Sequence, residues 1–170
     1  MRWLIDGYNV IRRDPDLRAR EAESLEAGRA ALLGTIARGA RVSRDTFTVV
    51  FDGARRGAGA PPTGRVQVLF SRPPLTADDE LARLARVAGA GAVVVSSDRR
   101  VQDAARRAGS AVLGAEAFVE ALARGGAAVS SAGDDVDRDE DRPRDKRGNP
   151  RRLSKRARAA ARALRRLRPS

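Results

Sequence analysis

The stretch Met1-Arg2-Trp3-Leu4-Ile5-Asp6-Gly7-Tyr8-Asn9-Val10-Ile11-Arg12-Arg13 decides the fold. Its apolar run, Trp3 to Ile5, stops abruptly at an acid, which reads as a short buried strand delivering a carboxylate to its end. Two later segments repeat the pattern. Thr46 to Phe51 (TFTVVF) runs into Asp52, and Ala92 to Ser96 (AVVVS) runs through Ser97 into Asp98. Val66 to Phe70 reads as a further strand, and Ala111 to Leu113 as a short edge strand. Helical patterns lie between them: Leu17 to Arg38 as one or two helices, then Thr76 to Val87, Asp98 to Ala108 and Ala115 to Ala123. Such alternation predicts an α/β domain of three layers, a mainly parallel sheet covered by helices on both faces.

Composition narrows the chemistry. The 170 residues contain no His and no Cys, which excludes Ser-His-Asp and Cys-His catalysis, thiol redox work, disulfides and thiolate or imidazole zinc sites. Carboxylates remain, and these prefer hard cations such as Mg²⁺ or Mn²⁺. The net charge of +12 favours a polyanionic partner. An Asp and an Asn interrupt the first apolar stretch, and no small-residue cleavage site follows, so it does not read as a signal peptide. No segment approaches the roughly 18 apolar residues of a membrane span. A cytoplasmic protein with no membrane partner is expected.

The charge is unevenly spread. Residues 1–126 carry +5 and residues 127–170 carry +7. The expected organisation is a domain over 1–126, an acidic linker over 127–145 that is too polar to pack, and a basic tail over 146–170. In the tail Leu153, Ala157, Ala160, Leu164 and Leu167 step at helical spacing, so a basic helix meeting RNA or a ribosomal surface competes with an unstructured tail.

In a parallel sheet the ligand site lies beyond the carboxyl ends of the strands. Asp6, Asp52 and Asp98 occupy those ends, and Asp78-Asp79-Glu80 opens the helix after the third strand. Carboxylates gathered there repel one another unless a cation neutralises them, and the chemistry that follows is phosphodiester hydrolysis. Each acid also has a plainer reading. Asp98, or Ser97 ahead of it, suits a helix N-cap; Thr76 and Asp79 have the spacing of a capping box; Asp52-Gly53 suits a turn. Asp6 is poorly explained by capping or packing.

The blocks Asp6-Gly7-Tyr8-Asn9-Val10-Ile11, Val50-Phe51-Asp52-Gly53, Thr76-Ala77-Asp78-Asp79 and Val95-Ser96-Ser97-Asp98, with Val101-Gln102 following, resemble the YacP-like branch of the NYN domains, within the PIN-like nuclease superfamily. The resemblance covers about residues 1–125. It implies a metal-dependent endoribonuclease fold acting on RNA, with mRNA at the ribosome as a substrate. It implies that Asp6, Asp78 and Asp98 form the metal-binding core with Asp52 near it, that Asn9 sits beside Asp6, that Asp79 is an extra ligand and that Ser97 is a supporting hydroxyl. Arg12, Arg13, Arg55, Arg56, Arg99 and Arg100 lie near these motifs and are expected to position RNA, with Tyr8 available to stack on a base. A binding module that keeps the fold and binds RNA or the ribosome without turnover is the competing reading.

Overall fold

The computed structural model describes residues 1–41, 43–53, 64–130 and 155–166. Five strands form one sheet: β1 (Arg2–Asp6), β2 (Thr46–Phe51), β3 (Val66–Phe70), β4 (Ala92–Val95) and β5 (Ala111–Leu113), in the order β3-β2-β1-β4-β5. Every pairing is parallel. The helices are α1 (Gly7–Arg13), α2 (Pro15–Glu23), α3 (Leu25–Arg41), α4 (Ala77–Ala88), α5 (Arg99–Arg107), α6 (Ala115–Ser130) and α7 (Lys155–Arg166).

Strand alternation sorts the core into two layers. Trp3, Ile5, Phe47, Val49, Phe51, Val93 and Val95 face one way, onto a core that includes Val10 and Ile11 of α1, Leu32 and Ile36 of α3, Phe118 of α6 and Ala160 and Ala163 of α7. Leu4, Val50, Ala92 and Val94 face the other way, onto Leu81 and Ala85 of α4 and Val101 and Ala105 of α5. Trp3, fully buried, stacks on Phe47 at 6.0 Å between centroids and meets Phe118 at 5.6 Å.

Two features depart from expectation, and one open alternative is resolved. Residues 7–13, with no predicted helix, form α1; Gly, Asn and β-branched Val and Ile are weak helix formers, and the buried contacts of Val10 and Ile11 outweigh that tendency. The Leu17 to Arg38 pattern is two helices, α2 and α3, because Asp14 caps α2 through the Leu17 N–H (2.8 Å) and Ser24 ends it and accepts from the Ala27 N–H (3.0 Å). Finally, α6 runs to Ser130, into the predicted linker, since Gly125-Gly126 is followed by helix-tolerant Ala-Ala-Val-Ser rather than a breaker. Residues 131–145 of that linker, and Leu153 and Leu167 of the apolar stripe, lie outside the described residues. Within the basic end, α7 lies against β5 and buries Ala160 and Ala163, with Leu164 partly buried beside them.

Candidate active site

Register brings the acids together. Ile5 pairs with Val95, and Asp6 is level with Val50, so β1, β2 and β4 end within two residues of one another. Since Ile5, Phe51 and Val95 all face the first layer, alternation turns Asp6, Asp52 and Ser96 to the opposite face, where α4 and α5 begin. Asp78 lies in the first turn of α4 and Asp98 is the N-cap of α5.

Asp6 is 8% exposed. Its Oδ1 accepts from the Asn9 N–H (3.2 Å) and so caps α1, correcting the expectation that capping explains it poorly. Its Oδ2 accepts from the Ser96 hydroxyl at 2.9 Å. Burial pushes the Asp6 carboxyl above the usual carboxylate range; the Ser96 and Asn9 hydrogen bonds oppose this, and the charges of Asp78 and Asp98 add to it. Asp78, half-buried, is raised by burial and then by Asp98, with Asp79 and Asp52 adding and Arg100 opposing. Asp6 thus lies within reach of the charges of Asp78 and Asp98, and Asp78 within reach of Asp98.

The remaining residues divide between this cluster and its scaffold. Asp98 accepts the Arg100 N–H (2.7 Å) and the Val101 N–H (3.4 Å), both at Oδ1, so its capping role engages one oxygen. Asp79 forms the capping box that its spacing with Thr76 predicts, and those hydrogen bonds hold its carboxyl below the usual range. Asp52 accepts the Ser71 hydroxyl at 2.6 Å, and Gly53 after it has φ of 89°, a left-handed conformation that glycine adopts freely. The Asn9 side chain accepts the Ser97 N–H at 2.8 Å and ties α1 to the loop carrying Asp98. The Ser97 hydroxyl donates to Glu116 (2.7 Å) and accepts from the Ala115 N–H (3.0 Å), so it braces the start of α6.

Of the arginines, Arg100 stands close enough for its charge to act on both Asp78 and Asp79. Arg99 is exposed beside it. Arg13 pairs with Glu116 at 3.3 Å, and Arg12 lies over the Tyr8 ring at 5.6 Å and 4.0 Å from Glu21. Tyr8 is half-buried with its ring in edge contact with Phe51 at 5.1 Å. Arg55 and Arg56 lie outside the described residues.

Ser96, which no motif in the sequence marks as functional, is fully buried, donates to Asp6 and accepts the Asp98 N–H at 3.1 Å. Ser96→Ala is expected to cost about 2 kcal/mol at neutral pH by leaving a buried carboxylate oxygen without its donor. The loss should be smaller in acid, where Asp6 is protonated, and denaturant melts at the two pH values check it.

Among the described residues no three of these acids stand close enough together to grip one ion directly. The donor set nevertheless suits Mg²⁺ or Mn²⁺, which take oxygen ligands; Mg²⁺ commonly keeps several waters and binds through one or two carboxylates plus substrate phosphate.

A fully parallel five-stranded sheet, helices on both faces and acids from separate segments meeting at its carboxyl rim are the arrangement that the resemblance to the NYN and PIN-like nuclease domains implies. The profile of the YacP-like NYN domain family matches residues 3–166, a span that includes α7 and runs past residue 125, where the recognisable motifs end. The chain belongs to the YacP-like NYN domain family. It is similar to the crystal structure of Rae1 (YacP) from Bacillus subtilis, with a TM-score of 0.61 and 30% identity over 73% of this chain and 76% of that one. The W164L mutant of the same protein gives 0.60 and 28% over 73% and 77%. No curated protein sequence matches. Family and neighbours support a nuclease or RNA-related function with RNA as the substrate class. No described helix is long and apolar enough to cross a membrane.

Proposed function

We propose that this protein is a Mg²⁺- or Mn²⁺-dependent endoribonuclease that hydrolyses RNA phosphodiester bonds, with mRNA on cytoplasmic ribosomes as its working substrate. The observation that carries this reading is the gathering of Asp6, Asp78 and Asp98, acids from three separate segments, with Ser96 bridging Asp6 to the Asp98 N–H and Asp78 near enough for its charge to act on Asp6, in a chain of net charge +12. A protein that only bound a polyanion would have little use for repelling carboxylates at that position.

Asp6, Asp78 and Asp98 would share the cation, one or two of them binding it directly and the rest through its waters, with Asp52 and Asp79 at its margin. Such a cation, when bound, supplies Lewis acidity to the scissile phosphate and lowers the pKa of a water. The chain's own residues do the positioning. Ser96 locks Asp6 by hydrogen bonding, and Asn9 fixes the loop before Asp98. Arg100 brings a positive charge beside the acids, where it can hold a phosphate of the strand.

Purified protein incubated with RNA, free and on translating ribosomes, with Mn²⁺, Mg²⁺ or EDTA tests this. Cutting with either metal and none in EDTA is expected, and a product seen only on ribosomes would identify the working partner. RNA or ribosome binding without cutting under any condition would replace the nuclease with a binding module.

A further inference from the structure

Helices α4 and α5 pack side by side, and both begin at the acidic rim. Between them, further from the rim, runs a groove of about 280 Å³ lined by Ala82, Arg86, Ala104, Arg107 and Ala108. Arg107 follows Arg100 by seven residues, two helical turns along the same face of α5 and roughly 10 Å further from the rim. Arg86 lines the same groove from α4.

The partners of the neighbouring arginines make this placement informative. Arg83 of α4 is bound by Glu80 (2.6 Å), and Arg106 of α5 by Asp103 (2.9 Å) and Gln102 (3.0 Å). No described carboxylate pairs with Arg86 or Arg107. Arginine in a last turn complements the helix dipole, but outward-turned side chains would serve that purpose equally. Two like charges lining one groove repel each other, and an anion between them relieves the repulsion. The three alanines leave room for that anion to approach.

We propose that the α4–α5 groove is an RNA-backbone subsite, in which Arg86 and Arg107 each hold a phosphate of the strand being cut. It rests on the nuclease reading and gives the substrate a direction: from the acids, past Arg100, down between α4 and α5. Recognition is of phosphate, so the subsite carries no base preference.

The test compares Arg86→Gln/Arg107→Gln with Arg83→Gln/Arg106→Gln, which removes the same formal charge from acid-paired positions. Both are made in the full-length Asp6→Asn chain so that RNA stays intact. Binding of labelled single-stranded RNAs of increasing length is measured by anisotropy across a salt series. The groove pair should weaken long strands roughly tenfold and flatten the salt slope by about 1.4, two phosphates at about 0.7 each. The shortest RNAs, spanning only the rim, should bind unchanged. Equal losses in both variants, or no loss in the groove variant, would overturn the subsite while leaving the nuclease reading intact. A parent chain that binds no RNA at any salt would overturn the reading beneath it.

Discussion

Asp6→Asn is expected to reduce RNA cleavage at least about a hundredfold, since Lewis-acid stabilisation is worth several kcal/mol and each 1.4 kcal/mol is about tenfold in rate. The protein itself should become more stable. Asp6 is raised above its ordinary 3.8 chiefly by burial, so between that value and its folded pKa the native state holds a proton that the unfolded chain has released. Stability therefore falls as pH rises through this interval, and the whole cost persists at neutral pH. Asparagine carries no such cost, and its amide can still accept from the Asn9 N–H and donate to Ser96 Oγ. The variant should melt above wild type at pH 7, with the charge-dependent part of the gap shrinking as pH falls through that interval and gone below about pH 4. It should bind RNA as tightly or more tightly. Added Mg²⁺ or Mn²⁺ should raise the melting temperature of wild type and leave the variant's unchanged. Retained cleavage would remove Asp6 from the reaction, and a collapse of RNA affinity along with activity would contradict the separation of cutting from holding.

Gly7→Ala should be the most damaging single methyl group in the domain. A Cβ there would lie 2.5 Å from Phe51 Cδ1, 2.8 Å from Cζ and closer still to Cε1. Phe51 has nowhere to swing, being fully buried and flanked by Phe70 at 5.7 Å and Tyr8 at 5.1 Å between centroids. The clash must be relieved by moving α1, whose first turn carries the Asn9 N–H that donates to Asp6. Overpacking of this kind costs about 3 kcal/mol, a fall in Tm of roughly 6–12 °C for a chain of this length. Thermal melts of Gly7→Ala, Phe51→Leu and the double variant provide the check. Because Phe51→Leu empties part of the space that the alanine needs, the double variant should lose less than the sum of the singles. Full additivity would mean that the two residues do not press on each other.

Much of this arrangement can be read from apolar runs that each end in an acid. Asp6, Asp52 and Asp98 follow buried strands, and a parallel register leaves them at one rim. The parity of each strand even places Asp6, Asp52 and Ser96 on one face, although Ser96 lacks any local mark. A serine after a run of valines looks like a strand end, and the group that gives it meaning is 90 residues away. Helix α1 is hidden for a related reason: its stability comes from burying Val10 and Ile11, not from propensity. Capping and site chemistry are also not exclusive alternatives. Asp98 caps α5 with one oxygen and keeps the other, and Asp6 caps α1 while still lying within reach of the charges of Asp78 and Asp98. The stripe in the basic end was visible, but only tertiary contact reveals that Ala160 and Ala163 lie in the core of the same domain.

The first strand of the chain is the central strand of the sheet, between β2 and β4. During synthesis the N-terminus emerges first, so β1 must wait for both neighbours. Until residue 96 has been added, Asp6 has neither its hydroxyl partner nor the Asp98 charge beside it. A truncated nascent chain therefore carries the first acid without an assembled rim. Assembly of the acidic rim is tied to synthesis past residue 98, a timing control that a site built from adjacent residues would not have.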